Sequence, residues 1–238
     1  AYALQSHQRA AAAMRSNRFN REVAPIIAPP KFHSAVQLDD GIRMEQSIAA
    51  LAKRRPVFDR HGGAVTVGNS CQVTDGATAL LVTSLSKAKQ LGLEPLAIIR
   101  STATAALSPK TMGLGPVHAT PLALDRAGIH FDDIDLVELN EAFAAQVLGC
   151  IEAFADDTYC RDVVGVAGAL GALDPAKVNV NGGAIALGHP IAATGARLLL
   201  TLAHELRLQD FELGAPIKFC EAFAPHTAKI LHCTMFSN

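Results

Sequence analysis

The chain contains no tryptophan and only two tyrosines among its 238 residues, and charged residues make up 18% of it. Its 21 basic and 22 acidic residues give a formal net charge of −1. This balance argues against a nucleic-acid-binding surface, which needs an excess of positive charge. The sequence also lacks the uninterrupted run of roughly 18 apolar residues that a membrane span requires, so we expect none.

Disulfide and metal-binding patterns are absent as well. The five cysteines are unevenly spaced, without a CxxC pair: Cys71, Cys150, Cys160, Cys220 and Cys233. This usage predicts reduced thiols in a cytoplasmic or organellar-matrix protein rather than a disulfide scaffold. The histidines do not have metal-ligand spacing, so the sequence predicts no metal site.

Half of the residues are hydrophobic, which predicts a large buried core and not a disordered chain. The predicted helices cover 2–18, 44–52, 75–91, 121–127, 141–155 and 190–206. The predicted strands cover 22–30, 64–67, 96–99, 134–138 and 177–180. Strands that alternate with helices predict a layered α/β fold. Residues 211–238 show neither period, and the first helix has no capping residue ahead of it, so we expect the chain to begin inside a larger fold.

Two of the turns from strand to helix carry small polar residues. The segment 67–76 (VGNSCQVTDG) contains the glycine and polar side chains that allow a ligand to approach backbone amides, or it forms an ordinary capped turn. At the next turn, Asn140 either caps the following helix or fixes an amide that orients a water or an oxyanion. Glu141 is placed to interact with the dipole of that helix.

The third turn, at 179–190 (NVNGGAIALGHP), is the strongest signal in the chain. It surrounds His189 with glycines and leads into a helix that begins near Pro190. The positive end of a helix dipole disfavours imidazolium, and a neutral ring can take a proton from a nucleophile or hydrogen-bond an oxyanion. The alternative is a structural histidine at a helix start, but the density of glycine favours a site.

Taken in order, three segments resemble the motifs of the thiolases, acyl-CoA C-acyltransferases that cleave or form 3-ketoacyl-CoA. They read GNSCQVTDGA from residue 68, LVELNEAFAAQ from residue 136 and VNVNGGAIALGHPIAATGARLL from residue 178. The resemblance covers roughly residues 1–208 and corresponds to about the second half of the family fold. The spacing of 49 positions from Asn140 to His189 resembles that of the longer branch, which includes the β subunits of fatty-acid oxidation complexes.

The resemblance implies a thiolase-like layered α/β/α fold, incomplete at its N-terminal side. Residues 1–72 would end a loop domain, and residues 73–95 would close the N-terminal core domain. Residues 96–208 would form the C-terminal core domain, and residues 209–238 an atypical tail.

The resemblance also implies roles for individual residues. His189 would activate the nucleophile and help to hold the thioester oxyanion, and Asn140 would position a water in the same oxyanion hole. A second group would contact the substrate. Phe58, Val67 and Cys71 would line the CoA tunnel, Phe143 would pack on the pantetheine arm, and Met112 would border the acyl pocket.

Two departures from the family pattern leave alternatives open. The nucleophilic cysteine of the family belongs to a segment upstream of residue 1. Cys220 lies near the position of the family's second, acid/base cysteine, but Glu-Ala-Phe follows it where the family has glycines. The chain is therefore interpreted as a thiolase acting on 3-ketoacyl-CoA, or as a catalytically inactive half that serves as a binding or interaction module. A ketoacyl-synthase-type condensing enzyme is disfavoured, because those enzymes carry a histidine where Asn140 stands.

The implied ligands are acyl-CoA and CoA, with CoA as a substrate and no separate cofactor. The basic run Lys53–Arg55 is either a solvated surface or a contact for CoA phosphates. The resemblance also implies a homo-oligomer or a subunit of a fatty-acid oxidation complex.

Overall fold

The computed structural model describes residues 1–27, 29–30, 32, 34–218 and 226–232, with the backbone alone for 217–218 and 226–232. The helices are α1 (Tyr2–Arg15), α2 (Ile48–Ala52), α3 (Leu85–Gln90), α4 (Gly115–Ala127), α5 (Ala144–Ala155), α6 (Asp157–Tyr159), α7 (Ala184–Leu187) and α8 (Ile191–Gln209). The strands are β1 (Ile26–Ile27), β2 (Ala35–Val36), β3 (Ile98–Ala105), β4 (Leu136–Leu139), β5 (Leu213–Lys218) and β6 (His226–His232).

A mixed sheet of four strands, in the order β3–β6–β5–β4, lies at the centre of the fold. β4 and β5 run parallel, whereas β6 is antiparallel to both of its neighbours. The helices α4 and α5 cover one face of the sheet, and α8 covers the other. These three layers confirm the predicted α/β class.

The strand β4 belongs to both halves of the core. Val137 and Leu139 lie in the cluster formed with α4 and α5, whereas Leu136 packs with Leu202 and Leu206 of α8. Side chains alternate between the two faces of a strand, and all four residues of β4 are buried. The chain that leaves β4 therefore enters the interior of the molecule.

Three predicted helices, at 121–127, 141–155 and 190–206, are confirmed with shifted ends. α4 ends where predicted, because Gly128 adopts a left-handed conformation with a φ of 66°, which glycine reaches without a steric penalty. α5 begins later than predicted, at Ala144, and Phe143 precedes it in an extended conformation.

The predicted helix over 75–91 is wrong for most of its length, because only α3 forms there. Leu81 is 79% exposed and Val82 71% exposed. A helix of this size is stabilised mainly by packing of an apolar face, and these side chains do not have that packing. The predicted strands at 64–67 and 177–180 reduce to single bridges, Pro56 with Thr66 and Val137 with Val178.

At the C-terminal end, where the sequence shows neither a helical nor a strand period, β5 and β6 occupy the middle of the sheet. The sequence does not read as a strand there, because β5 contains Gly214 and Pro216 and both residue types are unfavourable in a central strand. The structure explains the glycine. A Cβ at residue 214 would lie 2.9–3.0 Å from side-chain carbons of Leu202, so the strand passes close to α8.

The layer between β4 and α8 also encloses charged groups. Glu138 is 2% exposed, and its Oε2 lies 3.3 Å from Nη1 of Arg197 on α8. Burial raises the pKa of Glu138 to about 8, and Arg197 offsets part of that rise. The carboxyl group therefore binds a proton more tightly in the folded chain than in the unfolded one, in which its pKa is near 4.5.

This pKa shift predicts a pH-dependent contribution to stability. Glu138 stabilises the fold most at a pH below about 4.5, and the contribution is lost as the pH rises to about 8, with a slope of up to about 1.4 kcal/mol per pH unit. Glu138→Gln should therefore become more stable relative to the parent between pH 5 and 8, as measured by urea unfolding. The exposed carboxylate of Glu152 offers the control, because Glu152→Gln should keep the pH slope of the parent. Parallel curves for Glu138→Gln and the parent would contradict the prediction.

Candidate active site

Asn140 follows β4 directly and is fully buried. It does not cap the next helix, because α5 begins only at Ala144; that interpretation of Asn140 is wrong. The turn is held from the outside by two backbone hydrogen bonds: the Cys71 amide donates to the Ala142 carbonyl at 2.9 Å, and the Ala144 amide donates to the Asn69 carbonyl at 2.9 Å. The glycine-containing segment near residue 70 therefore lies against the turn that carries Asn140.

His189 lies between the short helix α7 and the first turn of α8, and it is 4% exposed. Gly188, with a φ of 91°, reverses the chain before it. A Cβ at residue 188 would lie 2.4 Å from Oγ1 of Thr74, so only glycine fits there without displacing its neighbour. That Oγ1 accepts a hydrogen bond from the His189 amide at 3.3 Å.

The contacts of Thr194 assign the tautomer of His189. The Thr194 hydroxyl donates to the Pro190 carbonyl at 3.0 Å, so it has no proton left for the ring. The Nδ1 atom of His189 lies 2.6 Å from the same oxygen and therefore carries a proton and donates it. In the neutral ring Nε2 is then unprotonated and available as a base.

The structure brings two of the three candidate catalytic side chains together. Asn140 Nδ2 lies 3.4 Å from His189 Nε2, which fits a long hydrogen bond from the amide to the unprotonated nitrogen. Asn140 Oδ1 is buried and has no hydrogen-bond partner among the described residues. The site thus presents an unprotonated ring nitrogen, an amide donor and an amide acceptor at one place.

Glu141 organises the walls of this site, which the sequence analysis did not foresee. Its buried carboxylate accepts hydrogen bonds from Tyr2 at 3.0 Å, Ser6 at 2.6 Å and Asn179 at 2.9 Å. It also accepts from the backbone amide of Ile185 at 3.1 Å. Glu141 therefore lies outside α5 and joins α1, the 179–185 turn and the end of β4; it does not serve the helix dipole as expected.

Tyr2 and Asn179 reinforce the same junction. Burial and the Glu141 carboxylate raise the pKa of Tyr2, so its hydroxyl stays protonated and donates. The Asn179 side chain bonds both backbone groups of Leu139, accepting from its amide at 2.7 Å and donating to its carbonyl at 2.8 Å. Nothing local in the sequence marks these residues, because their partners lie more than 35 positions away.

A cleft of about 610 Å³ opens beside this centre. Four residues that the resemblance assigns to CoA binding line it: Phe58, Val67, Cys71 and Phe143. The rings of Phe58 and Phe143 meet edge to face, with centroids 6.0 Å apart. Cys71, Gln72 and Val73 form part of the wall, and Thr74, the next residue, holds the His189 amide.

In the part of the chain that the structure describes, the charged side chains that line the cleft are all positive. Arg43 and Arg54 lie in it, and no carboxylate does among the described residues. His7 accepts a hydrogen bond from the Arg43 amide at Nδ1, and burial and the Arg43 charge lower its pKa. Of the basic run 53–55, only Arg54 reaches the cleft.

Two other predicted site residues are not placed by this geometry. Met112 begins a short 3-10 turn and is not among the residues that line the cleft. Cys220 lies outside the described residues.

The comparisons with known proteins agree with these motifs. Residues 1–86 match the family model of the thiolase N-terminal domain, and residues 93–232 match that of the thiolase C-terminal domain. The chain belongs to the thiolase family. It is 48% identical over 215 residues to a 3-ketoacyl-CoA thiolase of Yersinia pestis, a match that covers 90% of this chain and 49% of that protein.

Solved thiolase structures are similar over nearly the whole chain. The crystal structure of the Bacillus anthracis acetyl-CoA acetyltransferase superposes with a TM-score of 0.84 at 34% identity, over 98% of this chain and 55% of that one. Human mitochondrial 3-ketoacyl-CoA thiolase in complex with CoA superposes with a TM-score of 0.83 at 38% identity, over 98% and 54% of the two chains. The fold is thus a partial thiolase fold, and the chain spans about half of the length of these relatives.

Two kinds of feature are absent from the described residues. These residues contain no group of three or more histidine, cysteine, aspartate or glutamate side chains that could hold a metal ion. None of the helices in these ranges has the length and apolar character needed to cross a membrane.

The tight approach of the 182–185 turn to Glu141 predicts a strong effect of one added methyl group. A Cβ at Gly183 would lie 2.3–2.6 Å from the Glu141 carboxylate atoms, so Gly183→Ala should lower the free energy of unfolding by about 1–3 kcal/mol. Gly149 within α5 offers the matched control, because its Cβ would meet only a Leu114 methyl at 3.6 Å and alanine favours helix. Urea unfolding of both variants checks the prediction, which fails if the two midpoints coincide.

Proposed function

We propose that the site performs thiolase-type acyl transfer, in which 3-ketoacyl-CoA and CoA give acyl-CoA and acetyl-CoA. The observation that carries the proposal is the pairing of His189 Nε2, unprotonated and buried, with the Asn140 amide at 3.4 Å. In this reaction an enzyme thiolate attacks the keto carbon, the carbon–carbon bond breaks, and an acid/base thiol, the role that the resemblance suggests for Cys220, gives its proton to the acetyl-CoA carbanion. CoA then accepts the acyl group from the enzyme.

His189 supplies the base for this chemistry. Its Nε2 can take the proton of an attacking thiol, since Thr194 fixes the proton of the ring on Nδ1. As an imidazolium, the ring donates from Nε2 and stabilises the oxyanion that develops on the thioester. A buried site strengthens this interaction because less solvent screens it.

Asn140 supplies a polar group beside the His189 ring. Its buried amide contributes both a donor and an acceptor beside the ring, and Oδ1 has no partner within the described chain. We propose that Asn140 orients a water that shares the oxyanion hole with His189. A buried amide group favours such a partner, because an unsatisfied polar atom is costly.

The cleft fits the CoA part of the substrate. The exposed side chains of Phe58 and Val67, with the half-buried ring of Phe143, offer an apolar wall for a pantetheine arm. Arg43 and Arg54 offer positive charge for phosphates. We assign Cys71 to the wall of this cleft, and Met112 to the acyl side as the family resemblance implies.

Neither of the two buried cysteines described serves as the nucleophile in this proposal. The Cys150 thiol donates to the Gly113 carbonyl at 3.2 Å, and that of Cys160 donates to the Ala153 carbonyl at 3.3 Å. Burial raises the pKa of Cys150 to about 12, which disfavours the reactive thiolate. We further propose a role in fatty-acid β-oxidation, in the cytoplasm or an organellar matrix, within a homo-oligomer or an oxidation complex.

The proposal predicts that the reaction depends on His189. The chain should be assayed alone and as a chimera in which it replaces the matching 215 residues of the Yersinia thiolase, with acetoacetyl-CoA and CoA as substrates. In an active form, His189→Ala should lower kcat/KM at least about a hundredfold. His204→Gln, a change on the same helix α8 but away from the site, should leave it unchanged.

The outcomes of this assay are distinct. Turnover that survives His189→Ala contradicts the proposal. A chimera that folds and binds CoA without turnover favours the binding-module alternative instead.

The cleft predicts a second, independent effect on binding. Arg54→Gln should weaken CoA binding several-fold in titration calorimetry at low salt, and the difference should shrink as salt screens the exposed charge. Arg60→Gln, a nearby exposed change outside the cleft lining, is the control. Equal affinities for both variants would remove Arg54 from the binding site.

A further inference from the structure

The α8-facing side of β4 carries Leu136 and Glu138, and Asn140 comes directly after the strand. Alternate residues of an extended chain point to the same side. Glu138 lies two positions before Asn140, whose amide meets His189 directly ahead of α8. Its partner Arg197 belongs to α8, which begins just after His189.

On α8, Thr194 and Arg197 are three positions apart, so they share a face of the helix. Thr194 binds the His189 ring at 2.6 Å, and Arg197 donates to Glu138 at 3.3 Å. The end of β4 is thus joined to the first turns of α8 by two contacts in parallel. One runs from Asn140 through His189 to Thr194, and the other runs from Glu138 to Arg197.

Arg197 is the cation that acts on Glu138, because the nearby Arg18 is already paired with two other carboxylates. Arg18 bonds both Glu22 and Glu205. The charges that act on Glu138 come from Arg197, Glu22, Glu141 and Glu205, and Arg197 also acts on Asp39. Arg197 is thus the first group that offsets the burial of Glu138.

The contact is poorly explained as a stabilising interaction. Glu138 is almost fully buried, and Nη2 of Arg197 is buried without a hydrogen-bond partner among the described residues. A buried guanidinium that lacks part of its hydrogen bonding adds little to the stability of a fold, because its desolvation is costly. What such a contact does supply is a fixed distance between the two elements that it joins.

We propose that Glu138 and Arg197 are positioning residues of the acyl-transfer site, and that their contact sets the separation between the Asn140 amide and the His189 ring. The inference rests on the proposed function in one respect, namely that the site carries out acyl transfer. The separation itself can be measured without turnover. The hydrogen bond from Asn140 to His189, at 3.4 Å, is near the limit of hydrogen bonding, so a small shift of α8 breaks it.

The experiment reads the ring directly. In protein labelled with ¹⁵N-histidine, long-range ¹H–¹⁵N NMR separates protonated from unprotonated ring nitrogens. His189→Gln assigns the signals, and Asn140→Ala shows the spectrum of a ring without its amide partner. The parent should show a single Nδ1-protonated form. Glu138→Ala should shift the Nε2 signal toward that of Asn140→Ala, whereas Glu138→Gln should keep the parent signal because an amide oxygen still accepts from Arg197.

Glu205 provides the matched control. It is a buried carboxylate on α8 that bonds Arg18 and Asn181, and it acts on Glu138 through its charge alone. Glu205→Gln should lower the melting temperature and leave the His189 signals at the parent positions. Should Glu138→Ala not fold, Arg197→Lys decides, because the shorter reach of lysine should move the Nε2 signal in the same direction.

Parent-like His189 signals in a folded Glu138→Ala, or in Arg197→Lys where the former does not fold, overturn the inference. An active chimera adds a second readout, in which Glu138→Ala lowers kcat about tenfold or more at unchanged KM. Absence of turnover in every chimera would count against the proposed function, while the NMR result would still decide the positioning role.

Discussion

The fold depends on how it satisfies one buried carboxylate. Glu141 is 1% exposed, and within the described part of the chain no cationic side chain bonds it. Its oxygens are instead surrounded by two hydroxyls, an amide side chain and a backbone amide. An unsatisfied carboxylate in this position would cost several kcal/mol. The four donors therefore must stay together, and with them the elements that carry them.

This requirement explains why the site can be built from distant parts of the chain. The donors to Glu141 come from α1 and from the 179–185 turn, more than 35 positions away on either side. Asn140 precedes this carboxylate, and the turn that donates from Ile185 continues through Gly188 to His189. The hydrogen bonds to Glu141 therefore bring Asn140 and His189 near each other. In the proposed arrangement, the contacts of Thr194 and Arg197 on α8 then set the exact distance between them.

The order of the motifs, the helices α4 and α8 and the pair Asn140–His189 could be predicted from the sequence, because each depends on local signals or on a specific resemblance. The sequence did not reveal the role of Glu141, since a carboxylate at a helix start is common and its partners are remote. It overestimated the helix over 75–91, where apolar residues have a helical period but lack a packing surface. It underestimated β5, where Gly214 and Pro216 hide a strand that its neighbours on both sides support.

The site contains two electrostatic environments, a buried centre and a solvent-exposed cleft. At the centre, His189 and Asn140 are almost completely enclosed, so neither salt nor bulk water screens their contact strongly. At the cleft, Phe58 is 75% exposed and Val67 68% exposed, beside guanidinium groups that also face solvent. In the proposed reaction, binding of the charged end of CoA is therefore sensitive to ionic strength, whereas proton transfer is not. The segment 71–74 connects the two environments, because its first residues line the cleft and its last holds the His189 amide. A ligand that displaced this segment would also move the backbone of His189. Binding in the cleft and the position of the proposed base are therefore coupled.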